Sequence, residues 1–228
     1  MNKRGTHVGV IASFSIFIVF VVVLYVIMEP ALKTQKDKDL FLEYLELKLI
    51  DEFSSNLTTI TVSNASGSDE FFNIPKNDLT LDYVNSNYIV KDKDENIIVS
   101  ENSGLSNLKI SAVTENVLWI YFANVTFTIK TGVGESTSRI YKIESIRETK
   151  EIFEEKILEG LNDFESLKGN MSIPLGIDFS LVFEKNNGTQ IRAGEKNVTT
   201  SIYANEIPIY YINVNASKLA GKLITKVW

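Results

Sequence analysis

An α+β fold follows from three features of the sequence: an uninterrupted apolar run near the N-terminus, an amphipathic helical stripe after it, and then short β-type runs punctuated by Asn, Asp, Gly and Ser. Together they predict an N-terminal transmembrane helix continuing into an amphipathic helix, then a mainly antiparallel β-rich exterior domain with one further helix near 153–168. The predicted divisions are a short basic head over 1–7, a transmembrane helix over 8–28 and an extracytoplasmic α+β domain over 29–228.

From Val8 to Met28 there are 21 uncharged residues, of which 18 are apolar. As a helix rising 1.5 Å per residue they cover about 31 Å, the thickness of a bilayer hydrocarbon core. The chain's mean hydropathy of +0.02 is thus an average of this run and an ordinary soluble composition. The run leaves through Tyr25-Val26-Ile27-Met28-Glu29-Pro30 with no small-x-small exit, so a retained, single-pass signal anchor is expected.

Lys3 and Arg4 before the run nearly balance Lys33, Lys36 and Lys38 after it, so positive charge alone does not orient it. The short head suits a cytoplasmic N-terminus. An outward-facing body is expected from seven Asn-x-Ser/Thr sequons, at Asn56, Asn64, Asn124, Asn170, Asn187, Asn197 and Asn215. These are candidate glycosylation sites, which have a use only on exterior surfaces, although polar loops also accumulate such triplets. Gly5, Gly9 and Ser13 recur every four residues, with Ala12 beside them, as a strip on which another helix could pack closely. The expected partners are therefore the lipid bilayer and, through this strip, further copies or related subunits.

Lys3-Arg4-Gly5 directly before an uninterrupted apolar helix resembles the class III signal of type IV pilins and archaeal pilin-like proteins. The resemblance implies a processing site between Gly5 and Thr6, with the apolar helix kept on the mature protein. Val10 stands where many pilins carry Glu. The whole chain also resembles a group of archaeal single-pass proteins. The segments that carry this are the N-terminal helix up to Pro30, the run Tyr88 to Ser100, Glu165-Ser166-Leu167-Lys168 leading to Ile173-Pro174, Asp178 to Phe183, and Val227-Trp228. This resemblance implies an anchored exterior domain without catalysis.

Pro30 suits the first turn of a new helix, and Leu42, Leu45, Leu49 and Phe53 give the stretch 36–53 a helical stripe. A helix lying on a sheet and a projecting juxtamembrane stalk both fit that stripe. Strands are predicted over 57–62, 79–83, 88–91, 97–100, 108–112, 117–130 (bent or split), 138–146, 177–184, 199–203, 207–213 and 219–227. Their close spacing favours antiparallel pairing. The helix over 153–167, with Ile157, Leu161 and Phe164 on one face and Gly169 as its stop, covers a sheet or separates two β subdomains.

Composition excludes much chemistry. The chain has no Cys and a single His, His7, so thiol nucleophiles, Cys-based metal sites and His-based triads in the body are ruled out. With a net charge of −6 and no basic stripe, nothing in the sequence invites nucleic acid, and no nucleic-acid partner is expected. Asp92, Asp94 and Asn96 have the spacing that opens a calcium loop, but Ile97 and Ser103 stand where such a loop needs Gly and Glu, and a polar turn explains the same residues. Gly132-Val133-Gly134 lacks the third Gly of a dinucleotide fingerprint and reads as a turn. The acidic run Glu148 to Glu155 reads as a solvated helix start. Trp119, Phe122, Tyr210 and Tyr211 read as core or cross-strand pairs before they read as a ligand surface. No cofactor and no catalytic residue is expected. The predicted function is that of a membrane-anchored, pilin-like structural protein; the alternative is a tethered exterior binding or interaction module.

Overall fold

The computed structural model describes residues 5–63, 71–75, 87–103, 107–111, 117–132, 136–137, 141–174, 176–199 and 201–228. The first element, α1 (Gly5–Glu52), is one helix of 48 residues. It does not restart at Pro30. A proline removes one helical hydrogen bond and crowds the carbonyl four residues back, yet the helix runs through it, from the membrane-length segment into the segment packed on the sheet. Residues 9–29 form a segment long and apolar enough to cross a membrane, and none of it is buried within the protein.

The last third of α1 behaves differently. Phe41, Leu42, Leu45 and Leu49, continued by Phe53, are buried, whereas Leu40 and Leu47 on the opposite side remain 55% and 64% exposed. Spacings of three and four put the buried set on one face, and that face lies on strands β11 (Tyr203–Ile212) and β12 (Lys218–Val227). Burying such side chains contributes about 1.5–3 kcal/mol each. The amphipathic continuation is thus part of the core of the body, and the stalk reading is set aside.

The chain turns straight from α1 into β1 (Ser54–Ser63), then forms β2 (Phe71–Pro75), β3 (Asn87–Lys91), β4 (Ser100–Ser103), β5 (Asn107–Ser111), β6 (Val117–Ala123), β7 (Ser136–Thr137) and β8 (Lys142–Phe153). Helices α2 (Glu154–Asn162) and α3 (Phe164–Asn170) follow, then β9 (Phe179–Glu184), β10 (Gln190–Ala193), β11 and β12. Eight strands make one sheet in the order β10-β9-β12-β11-β8-β1-β6-β3, and four make a second in the order β4-β5-β2-β7. Pairing is antiparallel except for β2 with β7 and β8 with β11.

The β8–β11 seam is short, Tyr211 against Ile152 and Ile212 against Phe153. It joins two antiparallel four-stranded halves into one sheet, so the expected alternative of separated β subdomains does not hold. One face of the long sheet is covered twice. Over β9–β12 lie α1, α2 and α3, enclosing Leu45, Leu49, Phe53, Ile157, Phe183 and Leu223. Over β1, β3 and β6 lies the smaller sheet, enclosing Ile60, Val62, Ile74, Val90, Ile110 and Ile120. A third cluster, including Leu57, Ile89, Phe127 and Ile212, lies on the opposite face.

Several expected boundaries shift. The further helix near 153–168 is two helices, broken at Asp163, whose carboxylate accepts a 3.4 Å hydrogen bond from the Ser166 N–H and so caps α3. Gly169 lies inside α3 and is not its stop. Residues 148–153 are strand, not helix start; only Glu154 and Glu155 occupy the first turn of α2. A strand with solvent on both sides carries charge as readily as a helix does, and pairing with β1 decides between them. The predicted strand over 97–100 reduces to isolated bridges at Ile97 and Val99 before β4, and that over 117–130 ends as a strand at Ala123. Among the described residues of 199–203 no separate strand forms; β11 starts at Tyr203, and β2 and β10 are additional. The predicted strand over 79–83, Asn64, Lys3, Arg4 and most of the turn at 132–134 lie outside the described residues.

Candidate functional site

The face of the long sheet opposite its main cores holds an open groove of about 760 Å³. Register explains its floor. Residues directly opposite in neighbouring strands point to the same face, so Trp119, Thr61 and Ser145 form one cross-strand row, and Tyr121, Thr59 and Arg147 the next. The Ser145 hydroxyl donates to Thr61 Oγ1 at 3.1 Å. Among the described residues the Arg147 side chain has no ion-pair or hydrogen-bonding partner, whereas Lys218 at the rim pairs with Glu151 at 2.9 Å.

One wall of the groove is built by two turns far apart in sequence. Lys91, at the end of β3, has a side chain only 1% exposed. Its ammonium donates to Glu95 Oε2 at 2.7 Å, to the Ala216 carbonyl at 3.1 Å and to Ser217 Oγ at 3.0 Å. It also lies 5.8 Å from the Tyr121 ring centroid, within cation–π range. Burial, and secondarily the negative charge of Glu95, push the Tyr121 phenol up to about 12, so it stays protonated at neutral pH.

The Asp92–Asn96 segment is the turn that presents Glu95. Asp92 Oδ1 accepts from the Asp94 and Asn96 backbone N–H groups, both at 2.9 Å, and Oδ2 accepts from Asn96 Nδ2 at 3.1 Å. Burial raises the Asp92 pKa, but these hydrogen bonds and the nearby charge of Lys93 outweigh it and leave the carboxyl below its ordinary value. Asp92, Asp94 and Asn96 are thus brought together by a turn in which N–H donors already occupy the Asp92 oxygens. Glu95 takes a left-handed backbone, φ 62°, to close it.

The aromatic candidates separate. Phe122 and Tyr211 are core residues, Tyr210 is 66% exposed with Lys218 near its ring, and Trp119 lies half-buried in the groove. The sequence reading missed Lys91, Tyr121 and Arg147. Their only local signal is alternation: Tyr121 and Trp119 share parity on β6, as Arg147 and Ser145 do on β8.

The sequon asparagines lie at the surface wherever they are described. Asn56, Asn124, Asn170, Asn187 and Asn197 are exposed, and Asn215 is partly exposed in the β11–β12 turn. Asn56 sits within β1 with its amide on Glu148 Oε1 at 2.6 Å, and Asn187 in the β9–β10 turn accepts from the Thr189 N–H at 3.0 Å. Gly5 and Thr6 open α1, and Gly9 and Ser13 follow on the same helical face, with open space around Gly9. Comparison with family models, with characterised proteins and with solved structures finds no match to this chain.

Proposed function

We propose that the protein is a membrane-anchored, pilin-like structural subunit, non-catalytic, with residues 1–7 in the cytoplasm and the glycosylated body outside. The observation that carries this reading is α1 itself: a single helix with an exposed apolar first part and a last third packed into the sheet. Such a helix couples the body rigidly to the membrane segment, as a subunit assembling through its N-terminal helices requires. The small-residue strip Gly5-Gly9-Ser13 supplies a close-approach face for that assembly. Surface sequons support the outward orientation, and the lack of Cys and body His supports a non-catalytic role.

Intact-mass measurement of the mature protein tests the pilin-like reading. A chain beginning at Thr6 supports it, and one beginning at Met1 counts against it. Protease added to intact cells tests orientation, since an outward body is digested and an inward one is protected. The second reading, a tethered exterior binding module, is favoured by one specific observation, the aromatic and polar groove beside Trp119.

A further inference from the structure

We propose that the groove over β6, β1 and β8 binds a saccharide chain, and that Arg147 selects sugars bearing a carboxylate. The proposal rests on the second reading above only in giving the groove a binding role; it holds whether or not the chain assembles.

Three properties of the groove define the ligand. Trp119 and Tyr121, two residues apart on one strand and on one face, offer aromatic surfaces about 7 Å apart. Flat apolar faces at that spacing suit the C–H faces of consecutive sugar rings. Around them the lining is hydroxyl-rich, with Thr59, Thr61, Ser145, Thr149 and Ser217. Hydroxyls that both donate and accept suit a ligand whose own rim is hydroxyl. The groove is also a sheet face, not a sheet edge, so it offers no row of free backbone groups on which an extended peptide could add as a strand. Its volume is in the range of small-ligand sites.

Charge then narrows the class. Lys218 is neutralised by Glu151, and Lys91 by Glu95, which leaves Arg147 as the cation of the floor without a partner among the described residues. It stands two strands, about 10 Å, from Tyr121, a span that its long side chain and a ring stacked on the phenol can close. A planar guanidinium takes a carboxylate through two parallel hydrogen bonds. The buried Lys91 pins Glu95 and Ser217 in place before any ligand arrives, so the wall is preorganised.

The test uses the full-length protein in detergent micelles, titrated with trigalacturonic acid and with neutral maltotriose, and read by intrinsic fluorescence and calorimetry. The expected result is saturable binding of the acidic trisaccharide at least tenfold tighter than the neutral one. Trp119→Ala should abolish binding of both, Arg147→Gln should remove the preference for the acidic sugar, and Arg192→Gln, remote from the groove, should change neither. Circular dichroism shows whether each variant is folded, and Trp119→Leu, which keeps apolar bulk without a flat aromatic face, replaces Trp119→Ala if the latter is not; its expected result is at least tenfold weaker binding. Absence of saturable binding to either sugar at millimolar concentration, equal affinity for both, or binding indifferent to the Trp119 variant overturns the proposal.

Discussion

Lys91 and Ala216 stand 125 positions apart in the sequence, yet the Lys91 ammonium donates a 3.1 Å hydrogen bond to the Ala216 carbonyl. This contact ties the turn after β3 to the β11–β12 turn and thereby links the two halves of the long sheet across the face opposite the helices. A buried ammonium is costly unless every donor finds an acceptor, and here a carboxylate, a carbonyl and a hydroxyl provide them.

Removing the lysine should therefore cost more than removing its acid. Lys91→Ala leaves the Ala216 carbonyl and Ser217 hydroxyl without their donor and opens a cavity, an expected loss of about 2–4 kcal/mol. Glu95→Gln keeps a neutral acceptor at a site 60% exposed, and its expected cost is about 1 kcal/mol or less. Urea unfolding of the full-length protein in micelles measures both, and equal losses would sink the account.

The docking of α1 makes an asymmetric prediction along one helix. Leu45 and Leu49 are wholly buried, so Leu45→Ala or Leu49→Ala should each cost about 2–5 kcal/mol. Leu47, between them in sequence but 64% exposed, should change stability by about 0.5 kcal/mol or less. If all three substitutions have the same effect in denaturant titration, the helix does not pack on the sheet as described.

Two glycines with positive φ separate backbone strain from steric conflict. Gly188, at φ +80°, has open space where a Cβ would go, so Gly188→Ala should cost about 1–2 kcal/mol from the left-handed backbone alone. Gly194, at φ +73°, would set a Cβ against the Phe164 ring and 2.9 Å from the Phe179 carbonyl oxygen. That ring already packs against Phe179 at 4.9 Å, so Gly194→Ala should cost about 3 kcal/mol or more. Melting temperatures of the two variants give the comparison, and a larger shift for Gly188→Ala refutes it.

Asp178 predicts part of the acid sensitivity. Burial raises its pKa, but hydrogen bonds from Lys168, Lys196 and the Phe179 N–H, with the Lys168 charge, outweigh that and hold the carboxyl below its ordinary value. A folded pKa below the unfolded one contributes stability that is fully present above the unfolded value, about 3.9, and is lost as pH falls through the folded value. Asp178→Asn should be less stable than the native protein at pH 7 and should approach it below pH about 4. An unchanged difference across that range would remove Asp178 from the explanation.

Local pattern made much of the fold legible. The apolar run from Val8 and the stripe through Leu42, Leu45 and Leu49 each follow from spacing within a few turns, and short β-type runs bounded by Asn, Asp, Gly and Ser located β1, β3, β6, β9 and β12. Where local pattern failed, two structures carry the same pattern. The charged stretch after Ile146 reads equally as helix surface or as a strand exposed on both sides, and only its pairing with β1 makes it β8. At Asp163 a capping carboxylate divides a stripe that periodicity alone would continue into Phe164 and Leu167.

By itself the sequence determined the membrane-length helix, the α+β class and the absence of thiol and histidine chemistry in the body, because these depend on composition and near-neighbour spacing. Tertiary structure alone decided that α1 packs on β11 and β12, that a two-residue-pair seam makes one sheet of two halves, and that Trp119, Tyr121 and Arg147 share a groove whose wall is held by the buried Lys91. Those relationships join residues tens to more than a hundred positions apart. Their selection depends on strand register and on satisfying buried polar groups, and neither is written in any short stretch of chain.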